Sequence, residues 1–318
     1  MMSGVLSKRV LATVPTLLGV VVVVFMAVHL IPGDPVSAVL GDQATPEQVV
    51  RTRSDLGLDR PLLAQFVEYL GRLVQGDLGV SIHSREPVAS QIIARVPATA
   101  TLAGAGVLLS VVLGVPLGIM GATLRGSVAD FITLLISTVG VAAPSFWIAL
   151  LLSATFAVNL GWLPSIGAGE PGDLGSILKA LVLPATALGL SGMALVARMT
   201  RSSMLDVLGE DYVRTARAKG VAERAVIYRH ALRNAAIPIV TVIGLNFGHL
   251  LGGTIVMETM FARPGLGKLL LDAILGRDYP VVQGVTLVIA VSFVLVNLCT
   301  DLTYSRFDPR LKGREAST

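Results

Sequence analysis

Six windows of mostly apolar residues divide this chain of 318 residues, at roughly 10–31, 97–123, 131–158, 180–198, 236–257 and 281–300. Each approaches the ~20 residues an α-helix needs to cross a bilayer. Inside hydrocarbon every backbone N–H and C=O must be bonded within the protein, which leaves helices or closed barrels as spanning structures. Runs this long and continuous read as helices. The chain is 14% charged, where soluble domains run near ~25%. The expected fold class is all-α: a polytopic membrane protein with six transmembrane helices. The third window exceeds the length needed and contains Pro144, so it should tilt or kink.

The first window has two readings. Lys8 and Arg9 precede it, as they would precede the core of a signal peptide. Its apolar run is longer than the ~7–15 residues of such a core, and no Ala-x-Ala cleavage site follows. A retained helix is the reading adopted. Basic residues then set the orientation. With the N-terminus inside, the inner segments carry fifteen Lys and Arg, including eight within 198–233. The short outer loops carry Arg263, Lys268 and Arg277, with Lys179 at a boundary. Both termini are therefore expected in the cytoplasm. The isoelectric point near 9.5 is a topology signal; no aromatic-interleaved basic surface points to nucleic acid. Cys299, the one cysteine, cannot form an intrachain disulfide and reads as a small buried apolar residue.

Residues 32–96 form a polar insert between the first two windows, with six basic and eight acidic residues. Thr45-Pro46-Glu47-Gln48 has the order of an N-cap, a first-turn proline and a capping-box glutamine. Gly57 should end that helix. Pro61 should start another, with Leu62, Leu63, Phe66, Val67, Leu70, Leu73 and Val74 on one face, broken at Gly76-Asp77. That face needs cover, so the insert reads as a helical cap. The Gly- and Pro-rich loops 159–178 and 258–280 lie on the same side.

Enzymatic motifs fail on context. Gly167-x-Gly169-x-x-Gly172 has the letters of a dinucleotide fingerprint but no preceding strand, and Pro171 interrupts it. Gly265-Leu266-Gly267-Lys268 suggests a phosphate loop, yet Ala262 and Leu269 stand where Gly and Ser/Thr are required. His29, His83, His230 and His249 show no metal-ligand spacing. No catalytic constellation appears, so a non-catalytic chain is expected, with no cofactor or metal of its own. His249, in mid-span, reads either as a neutral imidazole bonded to a neighbouring helix or as a functional polar group. Gly244, Gly248 and Gly252, four apart, read either as tight helix packing or as a helix lining a pathway; Gly114 and Gly118 repeat that spacing.

The most polar inner segment is 199–235. It could be an amphipathic helix on anionic headgroups. It also mixes signs through Asp206, Glu210, Asp211 and Glu223, and its small residues Ala216, Ala218 and Gly220 suit docking in a protein groove. Physics alone leaves these two open. Within it, Asp211-Tyr212-Val213-Arg214-Thr215-Ala216-Arg217-Ala218-Lys219-Gly220 resembles the signature loop of binding-protein-dependent ABC importer permeases. Arg214, Thr215 and Ala216 stand in place of Glu-Ala-Ala, and His230-Ala231-Leu232-Arg233-Asn234 is similar to the variant of the peptide and nickel subfamily. Further runs carry the same resemblance: Ile31-Pro32-Gly33-Asp34-Pro35, Leu56-Gly57-Leu58-Asp59-x-Pro61, Gly76-Asp77-Leu78-Gly79-x-Ser81, Arg95-x-Pro97-Ala98-Thr99, Pro144-x-Phe146, Gly161-Trp162-Leu163-Pro164, Phe261-x-x-Pro264-Gly265-Leu266-Gly267, Arg277-Asp278-Tyr279-Pro280 and Asp308-Pro309-Arg310.

The resemblance implies a type I ABC importer permease fold with an extracytoplasmic helical insert. Its expected parts are residues 1–31 (N-terminus and first helix), 32–96 (insert), 97–304 (core with the coupling loop 199–235) and 305–318 (cytoplasmic tail). It implies a permease of a bacterial inner membrane that forms a pathway with a homologous permease. Two ATP-binding subunits would hold the ATP and Mg²⁺, and an extracytoplasmic solute-binding protein would deliver dipeptides, oligopeptides, nickel complexes or another small solute. It assigns ATPase coupling to Asp211, Tyr212, Arg214, Thr215, Ala216, Lys219, Gly220, His230 and Arg233. Gly244, Gly248, His249 and Gly252 become packing or pathway candidates. The alternative is a secondary transporter or channel without an ATPase, which predicts inverted repeats around a midplane site.

Overall fold

A computed structural model describes residues 13–26, 45–55 and 59–307. The described residues are mostly helical and form no named strand, only an isolated bridge between Val80 and Pro87. Contacts divide the chain into two compact units: Met1–Thr99 with Pro264–Val294, and Ala100–Arg263 with Leu295–Thr318. The motifs at residues 31–35, 56–58 and 308–310, Lys8, Arg9 and the expected helix stop at Gly57 lie outside the described residues.

The first unit contains α1 (Thr13–Met26), α2 (Pro46–Asp55), α3 (Leu62–Val74), the opening turns of α4 (Val88–Thr123), α10 (Leu266–Gly276) and the opening turns of α11 (Tyr279–Phe307). The capping box at α2 forms: Thr45 N donates to Gln48 Oε1 (2.9 Å), and Gln48 N donates to Thr45 Oγ1 (3.3 Å). Phe25 of α1 packs edge-on against Phe66 (5.2 Å between centroids) and against Tyr69 (5.7 Å). The covered face of α3 is thus Phe66, Tyr69, Leu70 and Leu73. Leu62, Leu63, Val67 and Val74, expected on that face, are exposed. The apolar stripe is wider than the surface that α1 offers it. Gly76 (φ +76) ends α3 with the bonds Gly76 N to Leu73 O and Asp77 N to Arg72 O.

Four of the sequence motifs meet in this unit, in two pairs. Asp278, 4% exposed, accepts from Ser81 Oγ (2.5 Å), Ile82 N (3.2 Å) and His83 N (3.4 Å). Leu266 N donates to Thr99 Oγ1 (2.8 Å). These runs are scaffold: one carboxylate caps a turn far away in sequence, and one hydroxyl caps the start of α10.

The second unit contains the rest of α4, α5 (Val128–Ala142), α6 (Ser145–Asn159), α7 (Leu174–Leu208), α8 (Asp211–Ala218), α9 (Glu223–Met260) and the end of α11. α7 is its axis, with fifteen buried residues, and it packs on α5, α6 and α9. Backbone meets backbone along α4 and α7. A Cβ at Gly114 would lie 2.9 Å from Met193 O and Val196 Cβ, and one at Gly118 would lie 2.5 Å from Thr200 Cβ and 2.6 Å from Ala197 O. In lipid no hydrophobic drive brings helices together, so such close van der Waals packing is what holds them. The packing reading of Gly114 and Gly118 is realised.

Among the described residues four helices are long and apolar enough to cross a membrane: α4, α7, α9 and Tyr279–Thr300 of α11. The window 131–158 is not one straight helix. α5 and α6 meet at 103°, far beyond a kink. Ala143 is extended (φ −77, ψ 122) and Pro144 (φ −62) caps α6. Proline disfavours the helical conformation of the residue before it and supplies no N–H to the preceding turn. The described part of α1 is shorter than a span. The six windows therefore fall on four continuous spans, one broken pair and α1.

The packing predicts opposite outcomes for two glycines. Gly118→Ala must push α4 from α7, an overpacking cost of about 1–3 kcal/mol. Gly252 has nothing within 4 Å of its Cβ position, so Gly252→Ala should leave stability unchanged. Thermal melting of the two variants in detergent checks this; equal melting temperatures would contradict the packing account.

Candidate functional site

The charged segment follows α7 without a gap. α7 ends at Leu208, and Gly209 N and Glu210 N bond to Asp206 O and Val207 O. Glu210 is extended (φ −70, ψ 147) and starts α8, its carbonyl accepting from Val213 N (3.1 Å) and Arg214 N (3.3 Å). Of the residues in α8 only Val213 is buried, at 0% exposure. α8 rests on the first turns of α9.

Its polar side faces outward. Asp211, Tyr212, Arg214, Thr215, Lys219 and Gly220 are exposed and Ala216 is half-buried. The side chain of Asp211 is 98% exposed and that of Arg214 is 74% exposed, 3.7 Å apart; an exposed pair of this kind contributes under about 1 kcal/mol. These charges do little for the fold.

α8 stops at Gly220. Gly220 has φ +77, Gly220 N donates to Arg217 O (2.9 Å), and Val221 N donates to Ala216 O (3.2 Å). This is the paired bond pattern of a left-handed helix stop. Beyond it the Arg217 guanidinium grips Glu223 with two bonds, 3.1 and 2.7 Å. Those bonds hold the Glu223 carboxyl below its ordinary range and raise Arg217 above its own. Because the folded pKa of Glu223 is depressed, the pair's contribution is present above the ordinary carboxylate pKa of about 4.3. It is lost as pH falls through the depressed value.

α9 then begins irregularly. Residues Val226–Ala231 are π-helical, and His230, half-buried, lies in that stretch. Asn234 Nδ2 donates to Tyr212 OH (2.7 Å) and to His230 O (3.0 Å), tying α8 to the π turn. Arg233 is exposed. Periodicity did not reveal this π turn, because a single wide turn leaves no distinct residue pattern; π segments recur at functional sites.

The pathway candidates separate. Gly244 is buried, and a Cβ there would meet the Thr300 side chain of α11. Gly248 is half-buried, while His249 and Gly252 are exposed. Gly253 instead makes the close approach, 2.8 Å from Leu188 Cδ2. The stripe Gly244-Gly248-Gly252 is therefore not one packed seam within this chain. His249 makes no hydrogen bond among the described residues.

Comparison with known proteins places this geometry. Residues 114–313 match the family "Binding-protein-dependent transport system inner membrane component", and residues 2–103 match its N-terminal companion. The chain is 42% identical to the dipeptide transport system permease protein DppB of Alkalihalophilus pseudofirmus, covering 96% of this chain and 98% of that one. It is 44% identical to the glutathione transport system permease protein GsiC of Escherichia coli K12, covering 96% and 97%. Among solved structures, an inward-facing MetNI methionine ABC transporter aligns with a TM-score of 0.57 at 16% identity, covering 69% of this chain and 96% of that chain; the likeness is one of fold. The chain belongs to the ABC importer permeases of the dipeptide/oligopeptide type. It is a multi-pass inner-membrane component of a complex with other subunits.

The left-handed stop at Gly220 sets one expectation. Its Cβ position meets nothing within 4 Å, so substitution there strains only the backbone. Gly220→Val should cost about 1–3 kcal/mol locally, and Gly220→Asn much less, since Asn tolerates that conformation. Hydrogen exchange at Gly220 and Val221 measures it. Protection that falls about tenfold in the Val variant only supports the stop; unchanged protection in both contradicts it.

Proposed function

We propose that this chain is the permease subunit of an ATP-driven importer of small peptides. It pairs with a homologous permease to form the pathway. Two ATP-binding subunits hold the ATP and Mg²⁺, one of them docks on α8, and an extracytoplasmic solute-binding protein delivers the cargo. The relatives named for dipeptide and glutathione transport support a peptide cargo.

One observation carries the docking assignment. α8 buries a single side chain, Val213, and leaves Asp211, Arg214 and Lys219 in solvent, with only a weak 3.7 Å pair between the first two. Asp211, Tyr212, Arg214, Thr215, Ala216 and Lys219 form the docking surface, and Gly220 sets the angle at which it is presented. His230 and Arg233 support it from the π turn. Motion of the ATPase pair would reach α7 through Gly209 and α9 through the Asn234 bridge. The exposed His249 and Gly252 favour a face of α9 turned toward the pathway or the second permease, with Gly244 and Gly248 beside it.

Charge reversal tests the docking surface. Arg214→Glu with Lys219→Glu leaves every buried residue in place, so the chain should accumulate in membranes normally. The ATP-binding subunits should no longer co-purify, and uptake should fall. Normal co-purification and uptake would remove α8 from the interface.

Both termini and α8 are assigned to the cytoplasm. In a Cys299→Ala background, Ser84→Cys should react with an impermeant reagent added outside, and Ala218→Cys only after permeabilisation. Both positions are exposed; reversed labelling would overturn the orientation.

A further inference from the structure

A second ion pair lies deeper in the unit that carries α8. Arg201, on α7, grips Asp130, in the first turn of α5, with Nε to Oδ1 at 2.6 Å and Nη2 to Oδ2 at 2.9 Å. The side chains are 18% and 7% exposed. Oδ2 also accepts from Gly126 N (3.0 Å), and Asp130 N donates to Ser127 Oγ (3.3 Å). One carboxylate thus fixes α7, the turn at Gly126 (φ +77) and the start of α5. The Arg201 stem crosses directly over α4: a Cβ at Gly121 would lie 3.2 Å from Arg201 Cδ and 2.9 Å from Thr133 Cγ2.

This is where the close packing of α4 on α7 ends. The seam runs through Gly114 and Gly118, where a Cβ would lie 2.9 Å from Arg201 N. Beyond it the two sides part around a cleft of about 280 Å³, with Thr123 and Arg125 on one wall and Leu208, Gly209, Arg217 and Glu223 on the other. The second wall includes the junction from α7 to α8. A bidentate Arg–carboxylate pair is planar, directional and stiff, and it sits at the boundary between the packed and the open part.

We infer that Asp130 and Arg201 are positioning residues for coupling: a strut that transmits displacement of α8 and the end of α7 to the α4–α5 turn. The inference rests on α8 being the ATPase dock. Without the strut, α7 can move at its α8 end while α4 and α5 lag, and ATP hydrolysis loses its hold on the pathway.

The test uses the complete transporter in vesicles. Asp130→Asn keeps the shape and an acceptor for Gly126 N but removes the charge; Arg201→Lys keeps the charge but removes the fork. Both should retain the ATP-binding subunits and basal hydrolysis, while peptide taken up per ATP falls about fivefold or more, the lower end of typical coupling between sites. The reversed pair, Asp130→Arg with Arg201→Asp, should regain part of that ratio. Unchanged uptake per ATP in Asp130→Asn and Arg201→Lys overturns the strut, as does a loss of membrane abundance with a normal ratio in the complexes that remain. The two readings separate cleanly: if reversing the α8 charges leaves the ATP-binding subunits bound, the dock fails; if it releases them while Asp130→Asn couples normally, only the strut fails.

Discussion

The close approach of α4 to α7 is the constraint on which the second unit depends. Helices in a bilayer gain nothing by hiding apolar side chains from lipid, so association rests on contact quality. Gly114 and Gly118 bring α4 within van der Waals range of the α7 backbone. On other sides of α7, Gly140 would meet Ala194 Cβ at 2.7 Å, and Gly253 would meet Leu188 Cδ2 at 2.8 Å. α7 is thereby enclosed: 67% of its apolar window is buried, against 28% for α9 and 22% for α11. The helix that leads directly into the charged segment is the one most tightly held. α7 thus joins α8 directly to the packed interior.

The elements that connect this rod to α8 share one physical logic. Each uses a group that fixes direction. Gly209 and Gly220 turn the chain, Val213 seats α8, Asn234 links it to the π turn, and the Arg217–Glu223 pair closes the loop behind it. The exposed charges of α8 contribute little to stability, because a solvated pair gains little. A helix that leaves Asp211, Arg214 and Lys219 in solvent has charged groups available to another chain.

Much of this was legible in the sequence where the signal is local. Apolar windows gave the spans because desolvation of the backbone allows few alternatives. The capping box at Thr45 and the stop at Gly220 were readable because a cap is written within a few residues. Signals that depend on a partner element were not. Pro144 announced a bend, but its 103° angle follows from how α5 and α6 each pack. Gly252 and Gly253 are neighbours in sequence, and only packing distinguishes the exposed one from the one against Leu188. Nothing local links Asp130 to Arg201; only tertiary structure joins residues 71 positions apart. The runs around Ser81, Thr99 and Asp278 carried the family resemblance without showing that they bond to distant parts of the chain.

The central claim is that the solvent face of α8 is the seat of the ATP-binding subunits. Site-specific photocrosslinking tests it most directly. A photoreactive phenylalanine analogue at Thr215, which is exposed on α8, should trap an ATP-binding subunit in native membranes. The same probe at Leu63, exposed on α3, should not. Capture of lipid alone from Thr215, or equal capture of the ATP-binding subunit from both positions, would contradict the account.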